Sequence, residues 1–430
     1  MNEKPLKVLS VCTSLGGGAG RAAYRIHQGV RDLGVNSRML LKSCKSDDPD
    51  IISLDGFEPR NPFYKALDWT RSKVKNKLQR TRWDCYPEKE NVFMSDLRGA
   101  DLHGVLKKLD YDVLHLHWIN NRFVSLKALP KDKPVVWTLH DSWPFCGICH
   151  YFLDCEEYKS QCGCCPLLHS DKANDLSRRV WQRKADVYKS LNLHVVTPSR
   201  WLGDCAKQSS LFGGMPVTVI PNCLDVNVFR PLDEAEISQR WSDLIRIKST
   251  KSLVLFGAVN AAKDKIKGLS HLMSAISILE ANGHVDDFEL VVFGAKESDL
   301  GMDLHVPIHY VGYIRDTQEL VSLYNLASVM VVPSLTENLS CAIMESLSCG
   351  TPAVAFNIGG NGDMIEHKVN GYLAKEKDDA DLAEGVLWCL DNNFDNCLGI
   401  SGCEKVLRNY TYEAVCQKYK GLYERVLQKE

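Results

Sequence analysis

One stretch constrains this chain more than any other: residues 329–371. Val329 to Val332 is an unbroken apolar run, the pattern of a strand covered on both faces. Pro333 and Ser334 stop it. A helix follows from about Ser340 to Ser348, closed by Gly350, with Pro352 just beyond. Ala353 to Phe356 is a second buried strand, and Gly359, Gly360 and Gly362 then turn the chain before another helix. This is a strand–loop–helix–strand–loop unit of an open α/β sheet. Such sheets bind ligands in the loops at the carboxyl ends of their strands.

Two carboxylates frame that unit. Glu337 lies in the loop before the helix, and Glu345 lies within the helix, eight residues on. A loop carboxylate can accept hydrogen bonds from sugar hydroxyls, and one on a helix face can hold the diol of a ribose. The N–H groups around Asn338, Leu339, Ser340 and Cys341, at the helix N-terminus, suit a diphosphate. Two glutamates at this spacing, taken alone, are more often solvated helix-end residues, Glu337 favouring the helix dipole. The adjoining strand, the Pro-Ser stop, Cys349-Gly-Thr-Pro352 and the glycine turn make ligand binding the better reading.

The amino-terminal part opens in a related way. Lys7 to Cys12 is a strand, Thr13 to Gly20 a glycine-rich loop, about Arg21 to Leu33 a helix ended by Gly34, and Ser37 to Leu41 a second strand. The loop is not a dinucleotide fingerprint. Arg21 stands where the third glycine belongs, and Lys42 and Ser43 stand where an acid would meet a ribose. NAD binding is therefore rejected.

The pattern Pro333-Ser-x-x-Glu337-x7-Glu345-x4-Gly350-Thr-Pro352, followed by Gly359-Gly360, resembles the donor site of family-4 glycosyltransferases. Within that family the chain looks most like bacterial capsule and exopolysaccharide enzymes of the colanic-acid type. The resemblance covers nearly the whole chain and implies the GT-B fold, two doubly wound Rossmann-like domains facing a cleft. It also implies retaining transfer from a nucleotide-diphosphate sugar (UDP or GDP type) to a glycan or lipid-linked acceptor, with no catalytic metal. Glu337 would then hold the donor sugar and Glu345 the ribose. Gly17 and Gly18 would let the backbone approach the donor. Lys267-Gly268 matches a family motif, so Lys267 would offset the leaving diphosphate. Relatives carry Arg where Ala258 stands, and Lys263 or Lys265 is the candidate replacement. Tyr313, after Ile308 to Gly312, is a candidate contact for the base.

Other motifs fit the same frame. Asp112-Val-Leu-His115-Leu-His117 is a strand with two histidines on one face. Val135 to His140-Asp141 is another, and its terminal His140 corresponds to the residue that relatives place by the donor sugar. Val217 to Pro231 resembles the interdomain linker, with Cys223 replacing a glycine. The expected domains are 1–228 for the acceptor and 229–411 for the nucleotide sugar. A tail helix, 412–430, should return to the first domain.

Two segments stand apart. Between Cys146 and Cys165 the spacing of Cys149, Cys155, Cys162 and Cys165 fits a compact tetrahedral zinc site; Cys146, His150 and Cys164 are spare candidates. Reduced core thiols or disulfides are the alternatives. The stretch 60–82 carries seven basic residues from Lys65 to Arg82 against Asp68 alone, interleaved with aromatics. It reads as a solvated helix face or as contact with an anionic membrane surface.

Length and composition bound the rest. The 430 residues suggest at least two domains. A net charge of −2 gives no bulk attraction to nucleic acid. No signal-peptide core or bilayer-length apolar run is evident, so a cytoplasmic protein is expected, with peripheral contact at the membrane's inner face as the alternative that the 60–82 stretch leaves open. Seventeen cysteines then read as thiols or metal ligands rather than disulfides. A GT-B epimerase or hydrolase and a catalytically silent sugar-nucleotide binder are the competing functions.

Overall fold

The computed structural model describes residues 5–54, 83–90, 92–240, 250–257, 264–295, 297 and 303–428. The basic segment 60–82, Ala258 and Lys263 fall outside the described residues. The chain forms two compact units, Met1–Ile220 with Cys416–Glu430, and Pro221–Val415.

The first unit is built on a seven-stranded sheet in the order β3-β2-β1-β4-β5-β6-β7. Its strands are β1 (Lys7–Cys12), β2 (Asn36–Leu41), β3 (Ile51–Ser53), β4 (Val113–Leu116), β5 (Pro134–Thr138), β6 (Asn192–Thr197) and β7 (Val217–Val219). Every pairing is parallel. The central strands are almost continuously apolar because helices and loops cover both faces. Strand order reverses between β1 and β4, which opens a crevice at their carboxyl ends.

The helix after β1 spans Gly17–Asp32, with extended Gly16 as its N-cap. It therefore starts earlier than the expected Arg21, and Gly17 and Gly18 form its first turn rather than an open loop. Ala22, Ala23, Ile26 and Val30 bury its inner face.

The last helix, Tyr412–Leu427, carries its later turns into this first unit. Tyr419 and Tyr423, four residues apart, share one helix face and are fully buried. The Tyr423 hydroxyl lies 2.8 Å from His115 Nδ1, and the Tyr419 hydroxyl 3.0 Å from Thr138 Oγ1. Lys420 Nζ donates to the Leu33 carbonyl at 3.0 Å. The tail is thus bonded to β4, β5 and the end of the first helix.

The second unit holds a six-stranded parallel sheet, β10-β9-β8-β11-β12-β13. The strands are β8 (Ser252–Gly257), β9 (Phe288–Phe293), β10 (Ile308–Gly312), β11 (Val329–Val332), β12 (Ala353–Phe356) and β13 (Gly371–Ala374). Here the order reverses between β8 and β11. The unit begins at Pro221, ahead of the boundary expected near Val228, because Leu224 and Phe229 are buried in its core and the Leu224 amide donates to the Tyr410 carbonyl at 2.8 Å. Residues 370–373 read as hairpin-like in sequence. Asn370 does brace a turn, bonding the Glu366 amide and the Met364 carbonyl. The chain leaving that turn, however, pairs in parallel with β12 as β13, Ala353 opposite Gly371.

The tail docking has a measurable consequence. Tyr423→Phe leaves a fully buried imidazole nitrogen without its partner, which costs about 1–3 kcal/mol. Urea unfolding of the variant should show that loss, while Tyr310→Phe, at a half-buried site, should stay within about 0.5 kcal/mol of the parent. Equal stability of the two variants would mean the tail does not depend on this bond.

Candidate functional site

In the second unit three loops meet at the carboxyl ends of β8, β11 and β12. After β8 the described chain resumes at Asp264, whose side chain accepts the Ile266 amide and caps a 3-10 turn, Lys265–Lys267. Gly268 ends the turn at φ +70°, and a Cβ there would lie 1.8 Å from the Pro333 carbonyl oxygen. Only glycine lets this turn press on the loop after β11. The Leu335 amide adds a bond to the Ile266 carbonyl at 2.8 Å.

That seam brings Lys267 to Glu337. The ammonium lies 3.3 Å from Oε2, with the two side chains 33% and 18% exposed. Glu337 is also held from the other side. The Gly360 amide donates to its carbonyl at 3.1 Å, and a Cβ on Gly359, at φ +53°, would lie 1.8 Å from that same oxygen. The arrangement offers a cation and a carboxylate acceptor side by side, both still reachable by solvent. A pair this exposed adds little to stability.

The neighbouring helix runs Cys341–Ser348, and the Ser340 hydroxyl caps it by accepting the Ile343 amide at 3.5 Å. Asn338 and Cys341 are half-buried on either side of that cap. Leu339 is buried in the core of the unit, so its side chain anchors the loop instead of lining an open site. Glu345 departs from expectation. The sequence pattern places it facing a ligand, but it is only 2% exposed, and the Tyr324 hydroxyl reaches its Oε2 at 3.3 Å. The helix is buried continuously from Ile343 to Ser348, which draws Glu345 inward with its neighbours. Lys265 is exposed, and Tyr313 is 49% exposed just after β10.

In the first unit Gly17 and Gly18 are exposed at the end of β1. His117 and His140 follow β4 and β5, with His117 Nδ1 3.1 Å from His140 Nε2. His115 packs against His117 at 4.1 Å between ring centres, the planes tilted by 45°, and bonds Thr138 Oγ1 through Nε2 at 2.8 Å. Burial pushes His115 down to about 3 and His140 down to about 4, and it holds His117 well below the ordinary histidine value, with neighbouring imidazoles adding to the effect at His115 and His117. All three rings are neutral at physiological pH. His117 Nε2 is buried without a hydrogen-bond partner in the protein. A small pocket lies here, lined in part by His117, Trp118, Asn120, His140, Asp141 and Trp143.

Asp141 is the hub of this corner. It accepts Trp118 Nε1 at 2.9 Å, the Trp143 amide at 2.9 Å and His150 Nδ1 at 2.6 Å. Burial alone would raise its pKa, but His150 and these donors outweigh it and the carboxyl ends below its usual range. Sequence reading missed this role of His150, which was grouped with the thiols as a spare metal ligand. In the fold it is turned to Asp141 and, through Nε2, to Ser95 Oγ at 2.8 Å. Cys149, Cys155, Cys162 and Cys165 line a second cavity, together with Cys146. These five cysteines are in no disulfide, and among the described residues no three His, Cys, Asp or Glu side chains converge as a metal cage.

Two parallel-sheet Rossmann-like units in one chain, with candidate ligand loops at the strand ends, define the fold class, GT-B. Comparison with known proteins gives the family. Residues 16–228 match the "Glycosyltransferase Family 4" pattern, and residues 250–392 match "Glycosyl transferases group 1". The chain belongs to the group 1/family 4 glycosyltransferases. It is 26% identical over 293 residues to the putative colanic acid biosynthesis glycosyl transferase WcaC of Escherichia coli K12, covering 64% of this chain and 66% of that one. It is 23% identical to an Escherichia coli UDP-Gal:alpha-D-GlcNAc-diphosphoundecaprenol alpha-1,3-galactosyltransferase, covering 49% of this chain and 54% of the relative. Among solved structures, Anabaena HepE in complex with UDP and glucose superposes with a TM-score of 0.61 at 16% identity, covering 97% and 99% of the two chains. Among the described residues no helix is long and apolar enough to cross a membrane.

Two outcomes follow from this geometry. Gly359→Ala forces a Cβ into the Glu337 carbonyl at a positive φ, so it should lower the unfolding midpoint and also lower kcat/KM at least tenfold, about 1.4 kcal/mol in the barrier, in the protein that remains folded. An unchanged kcat/KM would show that the grip on Glu337 is dispensable. The second concerns acid. His115, His117 and His140 have folded-state pKa values below the unfolded value near 6.5, so the unfolded chain binds more protons between about 6.5 and 4. Stability is therefore present above about pH 6.5 and falls as pH drops through that window. Denaturant midpoints at pH 7.5 and 5 should show the loss, and His117→Asn should flatten it.

Proposed function

We propose that this protein transfers a sugar, with retention of anomeric configuration, from a UDP- or GDP-type nucleotide sugar to a glycan or lipid-linked acceptor in polysaccharide biosynthesis. The observation that carries this reading is the Lys267–Glu337 pair, held open to solvent by Gly268, Gly359 and Gly360. The relatives support the same substrate chemistry: one is named for colanic acid biosynthesis, another for UDP-galactose and a diphosphoundecaprenol acceptor.

In this reading the bond from the anomeric carbon to the diphosphate oxygen breaks and its electron pair goes to that oxygen. The acceptor hydroxyl oxygen bonds the anomeric carbon on the same face, and its proton passes to the departing diphosphate. Lys267 offsets the charge that develops there, helped by the N-terminal end of the Cys341–Ser348 helix. Glu337 accepts hydrogen bonds from the donor sugar's hydroxyls. Because His140 is neutral, it can share a hydrogen bond with a sugar hydroxyl and adds no charge of its own. Tyr324 fixes the Glu345 carboxylate that the ribose diol meets, and the depth of Glu345 means that this contact needs a local opening.

Thermal shift of the purified chain against UDP-, GDP- and ADP-sugars tests the proposal. One nucleotide should raise the midpoint, with about 2.7 kcal/mol of stabilisation at a hundredfold excess over Kd. Glu345→Ala should lose that shift. Lys267→Ala should lower kcat by about 10²–10³, the scale seen when one oxyanion-stabilising donor is removed. A folded protein that no nucleotide sugar stabilises would overturn the proposal, and so would sugar release that no acceptor accelerates.

A further inference from the structure

The family assignment leaves the cysteine segment unexplained. Five of its thiols, Cys146, Cys149, Cys155, Cys162 and Cys165, line one small cavity, whose other walls include Phe152 and Tyr158.

Four of the five, Cys146, Cys149, Cys162 and Cys165, are 8% exposed or less, and Cys155 is half-buried. Burial by itself is ordinary for reduced cysteine. What is not ordinary is how the backbone treats these sulfurs.

The Cys162–Cys165 loop is bent to purpose. Cys162, Gly163 and Cys164 take φ of +52°, +115° and +44° in succession. Such a run persists only where the surroundings enforce it. Here the Ser177 hydroxyl holds the Gly163 amide at 3.0 Å, the Asp175 carboxylate holds the Cys165 amide at 2.9 Å, and Arg178 Nε holds the Cys162 carbonyl at 2.6 Å. As a result Cys162 and Cys165 face the cavity, while Cys164 turns outward and donates its thiol to the Asp171 carbonyl at 3.3 Å. On the opposite wall, buried Lys184 ties down the Cys146 and Gly147 carbonyls at 3.0 and 2.9 Å.

We propose that this cavity is a structural metal site, taking one Zn²⁺ on the thiolates of Cys149, Cys155, Cys162 and Cys165. Four soft thiolate ligands with no open position select zinc and give it a structural role. The sulfurs do not yet converge, so binding draws them together from the walls of the cavity, and metal affinity becomes folding energy for the segment. The consequence reaches the cavity around His140. Cys149 directly precedes His150, which bonds Asp141, so the metal would fix the loop that orients Asp141.

The test uses the full chain, expressed without a histidine tag and purified without chelator. Elemental mass spectrometry should find about one zinc per chain, as expected for a closed four-thiolate site. Cys162→Ser and Cys165→Ser should lose it, while Cys164→Ser keeps it. If the ligand variants fail to fold, cobalt exchange into the wild-type chain serves instead and should produce the intense absorption of thiolate-bound Co²⁺. Folded wild-type protein without zinc that takes up no cobalt would overturn the proposal. So would a Cys164→Ser chain that loses metal as fully as Cys162→Ser.

Discussion

The structure of the second unit's site depends on one backbone carbonyl, that of Glu337. Gly359 approaches it from the loop after β12, and the Gly360 amide bonds it. The adjacent Pro333 carbonyl is covered in the same way by Gly268, from the turn after β8. Three loops from three strands are therefore locked by contacts that no side chain could survive. The lock removes the need for the charged groups to hold themselves in place. Lys267 and Glu337 stay partly exposed, and their attraction is left for a ligand rather than spent on the fold.

The first unit solves a different problem. It carries three histidines in and just beyond its strands, His115 and His117 buried and His140 half-buried, and desolvation keeps all of them neutral. Neutral imidazoles need defined partners, because each ring has one nitrogen that donates and one that accepts. His115 has both nitrogens matched, by Thr138 and Tyr423, and Tyr419 in turn holds Thr138. The C-terminal helix thus reaches the strand ends through hydrogen bonds. His117 is left with one unmatched nitrogen beside His140, and that imbalance marks the place where a polar ligand would be welcome.

Much of this was legible in the sequence, for identifiable reasons. The strands could be read because parallel strands covered on both faces are short apolar runs, and β1, β11 and β12 appear where those runs stand. Lys267 and Glu337 were both named, but their pairing could not be seen, since it depends on how tightly Gly268 packs against Pro333. Burial was the harder quantity. Glu345 and Leu339 sit in the same motif as Glu337, yet both are drawn inward by a helix that is buried through most of its length. His150 was misread because sequence proximity grouped it with the thiols, whereas the fold turns its ring to Asp141 and leaves the cavity to cysteine. The Asn370-Gly371 turn was recognised, but only sheet register shows that it leads to a parallel edge strand.

The two units therefore place the same topological device under opposite electrostatic conditions. Each reverses its strand order once, between β1 and β4 or between β8 and β11, and each has candidate groups in the loops beyond. The second unit presents a cation and a carboxylate near water, which suits binding and then releasing a charged diphosphate. The first presents neutral rings and one well-braced carboxylate, which suits hydroxyl groups, whose recognition depends on hydrogen-bond direction more than on charge.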